Sequence, residues 1–98
     1  MRDQQILDEV KSTLALLTAK APGRAIEVRV PPYAAVQCGD GPTHTRGTPP
    51  NTIEMSADTW LALASGKLSW SDAVSSGAIA ASGVRADLTE YLPLGSEA

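Results

Sequence analysis

Hydrophobic residues recur in this chain at two periods, and each change of period marks a change of element. Between Asp3 and Lys20, Ile6, Val10, Leu14 and Leu17 repeat at helical spacing, Leu7 widens the stripe, and Asp8, Lys11 and Ser12 point elsewhere. That is an amphipathic helix with one face to bury. Leu7, Val10, Leu14, Leu17 and Ala21 also fit a heptad seam, but barely two heptads long, so packing on the chain's own domain is expected. Pro22-Gly23 closes the helix, because proline pushes the residue before it out of helical backbone. From Ala25 to Val30 the period becomes two, with Ile26, Val28 and Val30 on one side and Glu27 and Arg29 on the other. A strand with one dry face and one wet face follows. Tyr33 to Cys38 reads as a second strand and Gly39-Asp40-Gly41-Pro42 as a turn. Thr43 to Arg46 reads as a short third strand, and Thr52 to Met55 alternates again with Ile53 and Met55 inward.

The second half returns to the helical period. Ser56 is placed to cap a helix whose buried face carries Ala57, Trp60, Leu61 and Ala64 and which Gly66 stops. Ser69-Trp70-Ser71-Asp72 resembles a capping box with a shortened acid, opening about two turns with Trp70, Ala73 and Val74 inward and Gly77 as the end. Ala78 to Ser82 is a strand of small residues closed by Gly83. Arg85 to Tyr91 predicts a last short helix with Leu88 and Leu92 inward. The whole reads as one α+β domain over residues 1–98: a helix at 3–20, strands within 25–55, helices and a last strand within 57–92, and a tail at 93–98. The expected architecture is a five-stranded sheet with its helices on one face.

The stretch His44-Thr45-Arg46-Gly47-Thr48-Pro49-Pro50-Asn51 admits two kinds of role. His44 and Arg46, two apart on a strand, share a face. They either form part of a solvated charge ladder or contact an anion, Arg46 with its bidentate fork and His44 with its pH-sensitive ring. Thr48 to Asn51 suits an extended crossover, since each proline fixes its own φ and excludes helix from the preceding residue. In such a crossover Arg46 and Glu54 are not ladder partners.

Composition narrows the chemistry. Phe is absent and there are two Trp and two Tyr in 98 residues, so the core is built mainly from Ala, Val, Ile and Leu. Net charge is −3 with eight scattered Lys and Arg residues, and no basic stripe for a nucleic-acid backbone results. No segment approaches the roughly 20 apolar residues of a membrane span. A lone Cys38 and a charged N-terminus, MRDQQILDEVK, point to a cytoplasmic location. A Cys38/His44 dyad across the Gly39–Pro42 turn would be the route to catalysis, yet a thiolate needs an electropositive, oriented setting, and cysteine more commonly serves as a small buried hydrophobe. One His and one Cys do not make a metal set, and the glycine pairs lack a phosphate-loop pattern. The expectation is a non-enzyme with no metal and no cofactor.

Trp60 and Trp70 sit on the apolar faces of successive helices. Large aromatics there either fill a core or line an apolar pocket between helices and sheet. Ala62, Ala64, Ala73, Ala78, Ala80 and Ala81 around them either let backbones approach closely or leave space open.

Ile53-Glu54-Met55 followed by Ser56-Ala57-Asp58-Thr59-Trp60-Leu61-Ala62-Leu63-Ala64-Ser65-Gly66-Lys67-Leu68 resembles the sterol carrier protein family. A second short helix, Gly77, a strand ending in Gly83 and a terminal amphipathic segment continue the likeness through residue 92. Residues 25 to 51 resemble the family's short bacterial branch. The resemblance implies a helix, three strands, a crossover, a strand, helices and a last strand, with a fatty acyl or sterol-like ligand held non-covalently between sheet and helices. Three departures stand out. The last strand, Ala78-Ile79-Ala80-Ala81-Ser82, lacks the family's common lysines, Ser96-Glu97-Ala98 is no peroxisomal address, and the terminal helix, which helps close the ligand site in larger members, is short.

The leading expectation is a small carrier domain for an apolar molecule or lipid. Val28, Val30, Val36, Ile53, Met55 and Trp60 would line core or pocket, as would Leu61, Leu68, Trp70, Val74, Ile79 and Leu88. The rival expectation is a protein-interaction module on the same scaffold with the cavity filled, engaging a protein partner or forming a homodimer.

Overall fold

A computed structural model describes residues 3–41 and 51–94. Helix α1 spans Gln4–Lys20; strands β1 and β2 are Ile26–Val30 and Ala34–Cys38; β3 is Asn51–Met55. Helices α2, Ala57–Ser65, and α3, Trp70–Ser75, precede β4, Ile79–Ser82, and a 3-10 turn at Thr89–Tyr91.

The helix ends have local causes. Asp3 caps α1 by accepting from the backbone N–H groups of Gln5 at 2.9 Å and Ile6 at 3.2 Å. Ser56 caps α2 through Thr59 N–H at 3.2 Å, and Ser69 caps α3 through Asp72 N–H at 3.1 Å, as the sequence predicts. Gly66 ends α2 in the left-handed region at φ 86°, where a side chain would be strained.

The sheet order is β2-β1-β3-β4, with β1 antiparallel to β2, β1 parallel to β3, and β3 antiparallel to β4. The chain therefore passes from one side of β1 to the other between Cys38 and Asn51, and a change of lane is required there. Four strands are present among the described residues. The expected third strand at Thr43–Arg46, the double-proline connector, and the relation of Arg46 to Glu54 lie outside them.

Ile26, Val28 and Val30 on β1 and Ile53 and Met55 on β3 face a core shared with Val10, Leu14 and Leu17 of α1 and with Ala57, Trp60, Leu63 and Ala64 of α2. The helices cover one face, so alternation along the strands becomes a dry and a wet side. On the wet side Arg29 Nη2 meets Glu27 Oε1 at 3.1 Å, a contact that raises the guanidinium's pKa.

Asn51 is a buried polar residue in this core. Its Nδ2 donates to Ala25 O at 2.8 Å and its Oδ1 accepts from Arg85 N–H at 2.9 Å. One amide thereby ties the start of β1 to the segment after β4. That segment does not form the helix predicted for Arg85–Tyr91. Arg85 N–H is committed to Asn51, Asp87 N–H to Arg85 O at 2.8 Å, and Thr89 N–H to the Asp87 carboxylate at 2.8 Å. With its donors taken up by turns, the chain makes one 3-10 turn, and Leu88 enters the core ahead of it.

Candidate functional site: an apolar seam along the second helix

The residues expected to line core or pocket divide into three groups. Val28, Val30, Ile53, Met55, Trp60, Ile79 and Leu88 are buried. Val36, Leu61, Leu68 and Trp70 are partly buried against that core. Val74 is 48% exposed, unlike the inward position expected of it. A helix of one and a half turns turns only a narrow face to the sheet, and on α3 the fully buried residue is Ala73. His44 and Arg46, the candidate anion contacts, lie outside the described residues.

Trp60 occupies the centre of the helix–sheet space. Its indole N–H donates to Thr13 Oγ1 at 2.7 Å, and Thr13 Oγ1 in turn donates to the α1 carbonyls of Glu9 and Val10 at 2.6 and 3.1 Å. The ring is fully buried and its polar edge is partnered, which fixes it as packing.

Two surface grooves flank α2. The first, about 310 Å³, is lined by Leu63, Leu68, Trp70, Leu92 and Pro93 with Ser69, Ser71 and Thr89 at its polar margin. The second, about 430 Å³, is lined by Leu16, Leu61, Ala64 and Leu94 with Glu9, Ser12, Thr13, Ser65 and Lys67 around it. Each lies at the lower end of the roughly 300–1,000 Å³ typical of small-molecule sites. The C-terminal segment is the wall between them: Leu92 and Pro93 line one groove and Leu94 the other.

That wall is tied down. Leu94 N–H donates to Ala64 O at 3.0 Å, and Lys20 Nζ donates to Tyr91 O at 2.9 Å and Pro93 O at 3.3 Å. Lys20 lies in the last turn of α1, so the first helix holds the last segment of chain over the second. Pro93 and Leu94, placed in the tail by the sequence reading, thus form part of the seam. Leu63 is another residue the sequence reading did not place on the buried face, although its spacing of three from Trp60 marks it. Leu16 and Leu94 carried no such signal, because both lie off any periodic stripe.

The chemistry available here is adsorption of apolar surface. Cys38 is fully buried, and burial pushes its thiol up to about 11, so at neutral pH it is a protonated hydrophobe. Tyr91's hydroxyl is also raised, by burial first and then by the adjacent Glu90. Among the described residues no cluster of three His, Cys, Asp or Glu side chains is placed to hold a metal ion, and no helix is long and apolar enough to cross a membrane.

A family model described as "bacterial SCP ortholog" matches residues 2–94. No curated protein matches the chain in sequence.

Proposed function

Because the chain belongs to the bacterial sterol carrier protein family, we propose that it is a small, non-catalytic carrier that takes an apolar ligand along the seam on either side of Leu92–Leu94. The observation that carries this reading is the pair of apolar grooves sharing one tethered wall. Among the expected site residues, Leu68, Trp70 and Leu61 bear the contact, while Val28, Val30, Ile53, Met55, Trp60, Ile79 and Leu88 support it from below.

The grooves, at about 310 and 430 Å³, have room for one flexible acyl chain on either side of Leu92–Leu94. Lys67 at the rim of the second groove is a cation for a carboxylate head group to meet.

The buried, hydrogen-bonded Trp60 also favours the rival, an interaction module with a filled centre. Native mass spectrometry of protein purified from cells separates the two. A co-purifying fatty acid or acyl conjugate at one per chain is the expected result. A bare chain mass, together with no binding of added fatty acids, would refute the carrier.

A further inference from the structure

β4 is the edge of the sheet, and among the described residues no strand lies on its outer side. Open edges invite pairing with another chain, and soluble proteins usually block them with lysine, proline, a bulge or a covering element. β4 carries none of those side chains. From Ala73 to Val84 the sequence has no charged residue and no proline, although the chain as a whole is acidic at −3.

The inner face is also uncovered at this edge. Ala81 is the register partner of fully buried Ile53, yet Ala81 itself is exposed. Two of the large hydrophobic residues exposed among the described residues, Val74 and Val84, flank the same strand, and Val84 is fully open to solvent.

We propose that β4 pairs antiparallel with β4 of a second copy of this chain, joining two four-stranded sheets into one. A second copy fits better than a charged partner because this stretch offers nothing for a charge to meet, and its neutrality spares two acidic chains like-charge repulsion at the contact. In an antiparallel pair, opposite residues share a face. A two-fold axis at Ala80 sets Ala80 opposite itself and brings Ile79 over the exposed Ala81 of the partner subunit. The side chains at the axis are small enough for close approach. A four-residue edge with two flanking valines makes a small interface, so association is concentration-dependent. The seam along α2 plays no part in it.

Sedimentation equilibrium on the full chain from about 10 µM to about 1 mM tests this. The weight-average mass should rise toward twice the chain mass, and Ala81→Lys and Val84→Glu should each raise the half-association concentration at least about tenfold. Both side chains are exposed, so circular dichroism and the thermal midpoint should remain those of the parent. Under oxidation Ala80→Cys should form a cross-linked dimer, since paired strands hold opposite Cα atoms within disulfide reach. Ala35→Cys, exposed on the same face of β2, should not. A monomer across the whole range, a dimer that survives both Ala81→Lys and Val84→Glu, or cross-linking at Ala35→Cys and not Ala80→Cys would overturn the proposal.

Discussion

Trp60 and Trp70 stand ten residues apart on consecutive helices, each at an apolar position, and the structure gives them opposite settings. Trp60 is sealed between α1, α2 and the sheet, with its indole N–H bonded to Thr13 at 2.7 Å. Trp70 opens α3 at the margin of a groove, partly buried beside Leu68, Leu92 and Pro93. The contrast separates the part of the molecule that holds the fold from the part with apolar surface to spare. The space between helices and sheet, where the family resemblance leads one to expect a ligand, is occupied by Trp60. The free apolar surface lies on the other side of α2, under the C-terminal segment.

The sharpest way to test that division is to truncate both rings. Trp60→Ala should cost about 3–5 kcal/mol in urea unfolding, the usual range for a buried aromatic. Trp70→Ala should cost clearly less, because part of its surface is already wet. Equal losses would erase the distinction.

Asn51 belongs to the fixed half. Asn51→Ala leaves Ala25 O and Arg85 N–H without their partner and should cost about 1–3 kcal/mol. Hydrogen exchange should rise first after β4, where Arg85 N–H loses its acceptor. A neutral result would mean that water replaces the amide and that the core is less closed than described.

Cys38 gives the fixed half a pH signature. The folded thiol titrates at about 11 against an ordinary 9.0. Below pH 9 both folded and unfolded chains keep the proton, and the group adds no pH dependence. Between about 9 and 11 only the unfolded chain loses it, so this thiol lowers stability by roughly 1.4 kcal/mol per pH unit as pH rises. Denaturation curves of the parent and Cys38→Ala across that window should differ by this slope, and native Cys38 should resist alkylation at neutral pH. Rapid alkylation of the folded protein would contradict both its burial and its inert role.

The smallest expected effect on stability lies in the seam. Lys20→Met removes the two hydrogen bonds from Nζ to Tyr91 O and Pro93 O, and because these are solvent-exposed the change should be about 1 kcal/mol or less. Its mark should appear elsewhere, as faster proteolysis near Leu92 and altered ligand affinity at almost unchanged stability. A variant with parental proteolysis would show that the backbone bond from Leu94 to Ala64 suffices to hold the wall.

What could be read from the sequence was what is decided locally. Ser56 and Ser69 cap helices because each side chain reaches a backbone N–H three residues on. Ile26, Val28 and Val30 face inward because a strand alternates. The unread features all depend on partners distant in the chain. Asn51 bridges groups 26 residues before it and 34 after it, and no spacing announces such a bridge. The segment after β4 has helix-compatible residues, but its donors are taken by Asn51 and Asp87. Pro93 and Leu94 look like the start of a tail until Lys20, more than 70 residues earlier, is seen to hold them. Of the residues along the grooves, Trp70 was placed by the start of its helix and Leu61 by the α2 stripe. The opposite wall, Leu92 to Leu94, was not, since it is brought there by tertiary contacts.

The central claim is that apolar ligand enters the seam beside Trp70 while Trp60 remains sealed. Fluorescence titration with a long-chain fatty acid tests it most directly, using Trp70→Phe and Trp60→Phe. A saturable change in emission that persists in Trp60→Phe and vanishes in Trp70→Phe is the predicted result. A response carried by Trp60 alone would place the ligand between helices and sheet, and contradict the account.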